Sequence, residues 1–110
     1  MVTLKRFDVC LVNLDPTVGS EIKKTRPAVV ISPDSMNSSR LKTIIVAPMT
    51  TTVRRNFPTR IMVNFKDKTG QIALDQIRAL DRTRIIKWLG ELDAHTQQEI
   101  LNLLSIMFQP

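Results

Sequence analysis

Arg26 is the residue of this chain whose neighbours best equip it for chemistry. It follows the segment Asp15-Pro16-Thr17-Val18-Gly19-Ser20-Glu21-Ile22-Lys23-Lys24-Thr25 and precedes Pro27-Ala28-Val29-Val30-Ile31-Ser32. A polar, glycine-containing loop thus passes through two lysines and an arginine into an apolar run. A guanidinium held where a loop becomes a strand offers a planar fork of donors, which suits phosphate through two parallel charge-assisted hydrogen bonds. Nucleic-acid phosphate is therefore the first partner to consider. Thr50, opening the run Thr50-Thr51-Thr52, is a second candidate. An arginine beside a hydroxyl can serve RNA cleavage, because RNA carries its own nucleophile in the ribose 2′-OH. The protein need only orient it, stabilise the added negative charge and manage two protons. A guanidinium titrates above pH ~12, so Arg26 is expected mainly to stabilise the charged phosphorane. The competing role for Arg26 is a surface ion pair with Glu21 or Asp75. For Thr50 it is a strand-end hydroxyl bonded to backbone.

Other chemistries find too few residues. His95 is the single histidine, so a two-histidine acid–base ribonuclease is excluded. One Cys and one His cannot build a structural zinc site, and the three glycines form no phosphate-cradling motif. A serine-hydrolase elbow is likewise missing. No metal and no cofactor are expected. Cys10 lies in an apolar run, where a buried inert thiol is the simplest reading. With one cysteine, no basic-then-apolar leader and no apolar run of bilayer length, an intracellular, reducing compartment and no membrane partner are expected.

The formal charge of +6 is unevenly spread. Residues 1–87 hold all 16 Lys and Arg against seven acids, a balance of +9, while residues 88–110 carry three acids and no base. Six basic residues and no acid lie between Ser35 and Lys66. A polyanion-binding body with a differently employed C-terminal element fits this distribution. Lys23, Lys24, Arg54, Arg55, Arg78 and Arg84 are candidate contacts for backbone phosphates, and their sum predicts salt-sensitive RNA binding.

These side chains need a framework, and 110 residues suffice for one domain with a real core. Strands are predicted over Phe7–Leu14, Pro27–Ser32 and Lys42–Ala47, the last ended by Pro48. Ser35 to Arg40 can form one helical turn, and Thr50 to Asn56 reads as an exposed loop. Thr59–Val63 alternates with period two, as a half-solvated strand should. A turn at Lys66–Gly70 leads to a further strand or pair over Gln71–Leu80. A turn at Asp81–Arg84 then leads to a closing strand at Ile85–Leu89. A helix follows Gly90, capped by Asp93 or by a Thr96–Glu99 capping box. Its Ile100, Leu103, Leu104 and Met107 make one apolar stripe. Leu101, Ile106 and Phe108 fall off that stripe, a surplus that hints at a homodimer contact. Many short strands closing on a single terminal helix suggest a small barrel.

The chain also resembles the MazF/PemK (Kid-like) toxins, endoribonucleases of bacterial type II toxin–antitoxin modules. The similarity rests on Arg6–Val9, Asp15–Glu21, Thr25–Pro33, Asn37, Val46–Thr50, Asp75–Asp81 and Arg84, in the family's order and spacing nearly end to end. The resemblance implies a mainly β fold with a C-terminal α-helix, a small SH3-like barrel of the CcdB/PemK type. The barrel would span about residues 5–90 and the helix about 93–108 of a single domain 1–110. It further implies a cytoplasmic homodimer that cleaves single-stranded RNA without metal, leaving a 2′,3′-cyclic phosphate and a 5′-hydroxyl. The family's catalytic arginine and threonine map onto Arg26 and Thr50. Its substrate-contacting loop maps onto Gly19, Ser20 and Glu21, and its base-reading strand end onto Gln76; Asn37 joins the RNA contacts. A cognate antitoxin with an acidic and apolar tail is the expected protein partner. Phe7 stands where a glycine is common, a departure that bears on local packing and not on chemistry; the Thr50–Phe57 loop, with Arg54 and Arg55, matches no motif, so the cut sequence does not carry over. The alternative is a non-catalytic toxin on the same fold, binding DNA gyrase as CcdB does, or binding RNA without cutting it.

Overall fold

The computed structural model describes residues 3–110. Its β-branched and apolar runs form β1 (Asp8–Asn13), β2 (Thr25–Val30), β3 (Thr43–Thr50), β4 (Arg60–Phe65), β5 (Lys68–Ala73), β6 (Arg78–Asp81) and β7 (Ile85–Glu91). Every pairing is antiparallel, in the order β4-β5-β3-β2-β1-β7, with β6 also on β3. The sheet curls into a half-barrel, and α2 (Ala94–Met107) closes one face. The short α1 (Asp34–Asn37) bridges β2 and β3. The expected mainly β fold with a C-terminal helix is observed.

β3 is the hub. One of its edges pairs with β2, from Val46–Val30 to Pro48–Ala28. The other edge is shared in succession: Thr43–Val46 pair with β6, and Met49–Thr50 with β5. A 3-10 turn at Leu74–Gln76 carries the chain from β5 to β6, so the span Gln71–Leu80 resolves into two strands. Pro48 does not end β3 as expected. It falls in the gap between the β6 and β5 registers, where its missing N–H leaves no ladder position short.

Other boundaries move for equally local reasons. β2 begins at Thr25, because Thr25 and Arg26 pair with Asn13 and Val12 of β1; Arg26 is thus a strand residue. The predicted turn at Lys66–Gly70 contracts to Lys66 and Asp67, both at positive φ (50° and 65°), with Phe65 paired to Lys68. Two consecutive left-handed residues match the twist of a hairpin, so Lys68–Gly70 join β5. β7 runs on through Gly90 to Glu91. Gly90 sits at φ 150°, where a Cβ would lie 3.2 Å from Cζ of Phe65, so a bare backbone lets the Phe65 ring close against β7.

Alternate strand residues feed two cores. Val9, Val29, Ala47, Met49 and Ile72 gather on the face covered by Ile100 of α2, with Leu103, Leu104 and Met107 packed beside them. Cys10, Val12, Ala28, Val30, Ile44, Val46 and Leu80 form the second cluster, flanked by Leu4, Ile22 and Ile85. Both faces of β2 and β3 are therefore covered, which explains their unbroken apolar sequences. Burial pushes the Cys10 thiol up to about 11, helped by the nearby Asp8 carboxylate, so Cys10 stays a protonated core residue at neutral pH. Asp93 occupies the N-cap of α2 and accepts from the Thr96 hydroxyl; Thr96 lies inside the first turn. Leu101, Ile106 and Phe108 are exposed.

The backbones run close together where β5 meets the end of β3. A Cβ on Gly70 would collide with the Thr50 carbonyl oxygen. Gly70→Ala is expected to destabilise the protein by about 1–3 kcal/mol, the usual cost of overpacking, with the loss read from urea denaturation midpoints. An unchanged midpoint would show that the two strands can separate at this point without cost.

Candidate functional site

Arg26 and Thr50 line the same cleft, of about 410 Å³. β2 contributes Arg26, the last residue of β3 contributes Thr50, and the β4–β5 hairpin adds Lys66 and Lys68. Pro27, Met49, Val63, Phe65 and Leu89 supply apolar wall. The cleft therefore sets three cations, the threonines Thr50, Thr51 and Thr69 and the Gln71 amide beside an apolar wall, an arrangement suited to a phosphodiester with its attached bases.

Each of the two central side chains has bonding capacity to spare. Arg26 donates from Nε to the Lys23 carbonyl at 2.8 Å, which fixes the plane of the guanidinium. Among the described residues it makes no ion pair, so its terminal nitrogens remain for a ligand. The carboxylates that competed for it are engaged elsewhere. Glu21 accepts from the Val18 N–H at 2.6 Å. Asp75 accepts from Arg60 Nε at 2.7 Å and Nη2 at 3.2 Å, and from the Thr59 hydroxyl at 3.0 Å. Thr50 is nearly buried, and its Oγ1 accepts from the Thr52 N–H at 3.1 Å. This is the strand-end backbone bond; it orients the hydroxyl and leaves its hydrogen available for donation.

The loop between β1 and β2 is tied down next to a second depression of about 520 Å³, lined by Ser20, Glu21, Asp75, Gln76 and Arg78 among others. Gln76 accepts from the Ile22 N–H at 2.6 Å and donates to the Ser20 carbonyl at 3.2 Å. Arg78 donates to the Leu14 carbonyl at 3.1 Å, and Arg84 to those of Asn13 and Asp15. Gln76 and Arg78, read from sequence as a base reader and a phosphate contact, thus hold the loop that carries Gly19, Ser20 and Glu21. Lys23 and Lys24 are exposed on its far end.

Asn37 is not brought to the cleft. It is 3% exposed in α1, where it accepts from the Ser32 hydroxyl at 2.6 Å and donates to the Ser32 carbonyl at 2.9 Å. Arg54 and Arg55 stand on the exposed loop after Thr50. Lys66, Lys68 and Gln71 also line the cleft, and sequence reasoning passed over all three. The signal for Gln71 was a lone amide heading the apolar run Ile72-Ala73-Leu74; for the lysines it was the two-residue turn Lys66-Asp67 that one opens and the other follows.

A family model describing the PemK-like, MazF-like toxins of type II toxin–antitoxin systems matches residues 5–108. This chain belongs to that family. Among solved structures, MazF from Deinococcus radiodurans superposes with a TM-score of 0.83 at 24% identity over 97% of both chains. An endoribonuclease from Mycobacterial species, in complex with its cognate antitoxin, gives 0.79 at 24% identity, again over 97% of both. The Mycobacterium tuberculosis toxin MazF-mt6 gives 0.75 at 21% identity, covering 92% of this chain and 95% of that one. At these identities the likeness is one of fold. Within the described residues, no helix of this toxin-family chain is long and apolar enough to cross a membrane.

Burial raises the pKa of Asp75, but the hydrogen bonds from Arg60 and Thr59 outweigh it, so the carboxyl titrates below its ordinary value. The stabilisation is thus present at neutral pH and is lost as pH falls through the lowered folded pKa. Asp75→Asn is expected to cost about 1 kcal/mol at pH 7, discounted for partial exposure. In denaturation series the gap from wild type should narrow in acid. A gap independent of pH would assign the effect to shape rather than charge.

Proposed function

We propose that this MazF-like toxin is a metal-independent endoribonuclease acting on single-stranded RNA. The observation that carries the reading is that Arg26 and Thr50, from different strands, line one cleft with unspent hydrogen-bonding capacity. The 2′-OH of the substrate attacks the adjacent phosphorus and gives its proton to water, and the P–O5′ bond breaks as the leaving oxygen takes a proton from water. The products are a 2′,3′-cyclic phosphate and a 5′-hydroxyl. Arg26 binds the non-bridging oxygens and stabilises the phosphorane, an electrostatic role that needs no metal because the nucleophile belongs to the substrate. Thr50 donates its hydroxyl hydrogen to the same oxygens. Glu21, Ser20 and Gly19 form the neighbouring loop over which the strand passes, with Gln76 and Arg78 holding that loop in place. Lys23, Lys24, Lys66 and Lys68 attract the backbone.

The assembly follows from the same surfaces. The exposed Leu101, Ile106 and Phe108 support a homodimer, and the basic residues 1–87 support neutralisation by an acidic antitoxin, all in the cytoplasm. The antitoxin reading draws support from the mycobacterial fold relative, whose structure includes its cognate antitoxin.

Purified protein incubated with a long RNA in EDTA should yield discrete fragments ending in cyclic phosphate. Arg26→Ala should lower the rate by about 10²–10³-fold, the usual loss for one oxyanion donor, and Arg26→Lys should recover only part of it. Thr50→Ser should retain more activity than Thr50→Ala. Undiminished cleavage by folded Arg26→Ala would overturn the reading; intact RNA with altered DNA supercoiling would favour a gyrase-directed toxin instead. Binding of RNA to Arg26→Ala should weaken steeply between 50 and 200 mM salt, by about tenfold or more for several phosphate contacts, and a flat affinity would exclude the basic surface as the binding face.

A further inference from the structure

Gln71 is a polar side chain with 3% exposure in β5, opposite Thr50 in the strand register and in the wall of the cleft. A buried amide must satisfy one oxygen and two N–H donors or lose free energy. Gln71 spends them on one residue of the neighbouring loop. Its Oε1 accepts from the Arg54 N–H at 2.9 Å, and its Nε2 donates to the Arg54 carbonyl at 3.4 Å, with Met62 Sδ also at 3.4 Å. The backbone of Arg54 is gripped on both sides, as a strand partner would grip it.

That grip falls in the middle of a segment, residues 51–58, that is exposed throughout and belongs to no strand or helix. Within the loop the Phe57 N–H also donates to the Arg54 carbonyl at 3.3 Å, and the ties to the flanking strands lie towards the ends. The Thr52 N–H donates to Thr50 Oγ1, and the Arg60 guanidinium stacks 5.0 Å from the centroid of the Phe57 ring. Among the described residues, only the Gln71 amide joins the centre of the loop to the wall of the cleft. The residue it holds there is Arg54, and the next in the chain is Arg55, so the hold falls on one of two adjacent cations.

We propose that Gln71 is a positioning residue: its amide clamps the Arg54 backbone so that the Arg54–Arg55 pair engages the nucleotide next to the scissile phosphate, fixing which RNA sequences are cut. The inference rests on the nuclease reading and names a specificity determinant for it. Without the clamp the loop still exists and still carries its charge, but it samples many positions. Ordering it then falls to the substrate, which weakens binding and blurs the choice of site without touching the groups that stabilise the phosphorane.

The test compares wild type, Gln71→Leu, Arg54→Ala/Arg55→Ala and the triple variant. In the absence of RNA, the Arg54 amide of Gln71→Leu should exchange its hydrogen at least about tenfold faster than wild type, because the loop has lost its buried anchor. On a short RNA cut once by wild type, Gln71→Leu should raise KM by about tenfold with kcat within about twofold, the mark of lost binding rather than lost chemistry. On a long RNA its cut sites should spread. The arginine double variant alters exposed side chains only, so it folds whatever the fate of Gln71→Leu. It should reproduce the KM rise, and adding Gln71→Leu to it should add little, as required of residues acting through one another. Unchanged KM and cut sites in Gln71→Leu, or fully additive effects in the triple variant, would overturn the clamp. If wild type cuts no RNA, the nuclease reading fails; equal RNA affinity of wild type and Gln71→Leu would then dispose of the clamp separately.

Discussion

Everything in this molecule depends on β3 meeting three neighbours within eight residues. A strand has two hydrogen-bonding edges, so a third partner is possible only if two share one edge in turn. β6 takes the first half of that edge and β5 the second, and the 3-10 turn between them supplies the offset. The sheet must bend where the partner changes. Both the curl of the half-barrel and the cleft at its mouth follow from that bend. Thr50 reaches the cleft because β3 continues past the change to pair with Gln71. Gly70 lets the two backbones come close enough to do so.

The geometry also explains why the polar groups of the site are orderly without being fully used. Arg26 is anchored through Nε to a backbone carbonyl, Thr50 through its oxygen to a backbone N–H, and Asp75 is committed to Arg60 and Thr59. Carboxylates that could neutralise Arg26 are thereby kept from it. A cation held in place with its terminal nitrogens unspent is organised before any ligand arrives. Such preorganisation is what makes charge stabilisation effective in a partly dry cleft.

Much of this was legible in the sequence. The runs Val9–Val12, Ala28–Ile31 and Ile44–Ala47 announce strands through β-branching, and Ile100, Leu103, Leu104 and Met107 announce a helix face through their spacing. Arg26 stood out because a loop, a charge and an apolar run met there. What was hidden depends on partners distant in sequence. Pro48 looks like a terminator until its place between two registers is known. Lys68 looks like a turn residue until Lys66 and Asp67 both adopt positive φ and confine the turn to themselves. Gln76 could have met water or a base, and its loop-holding bonds to Ile22 and Ser20 cross more than fifty residues. Asn37 lay in a familiar-looking stretch, yet its amide is consumed by Ser32.

One 3-10 turn, Leu74–Gln76, carries a responsibility out of proportion to its length. Asp75 grips Arg60, whose guanidinium lies against Phe57 of one mouth loop; Gln76, next in the chain, grips Ile22 and Ser20 of the other. Adjacent side chains thus act as paired rivets for two separate loops. A shift of that three-residue plate therefore reaches both loops at once.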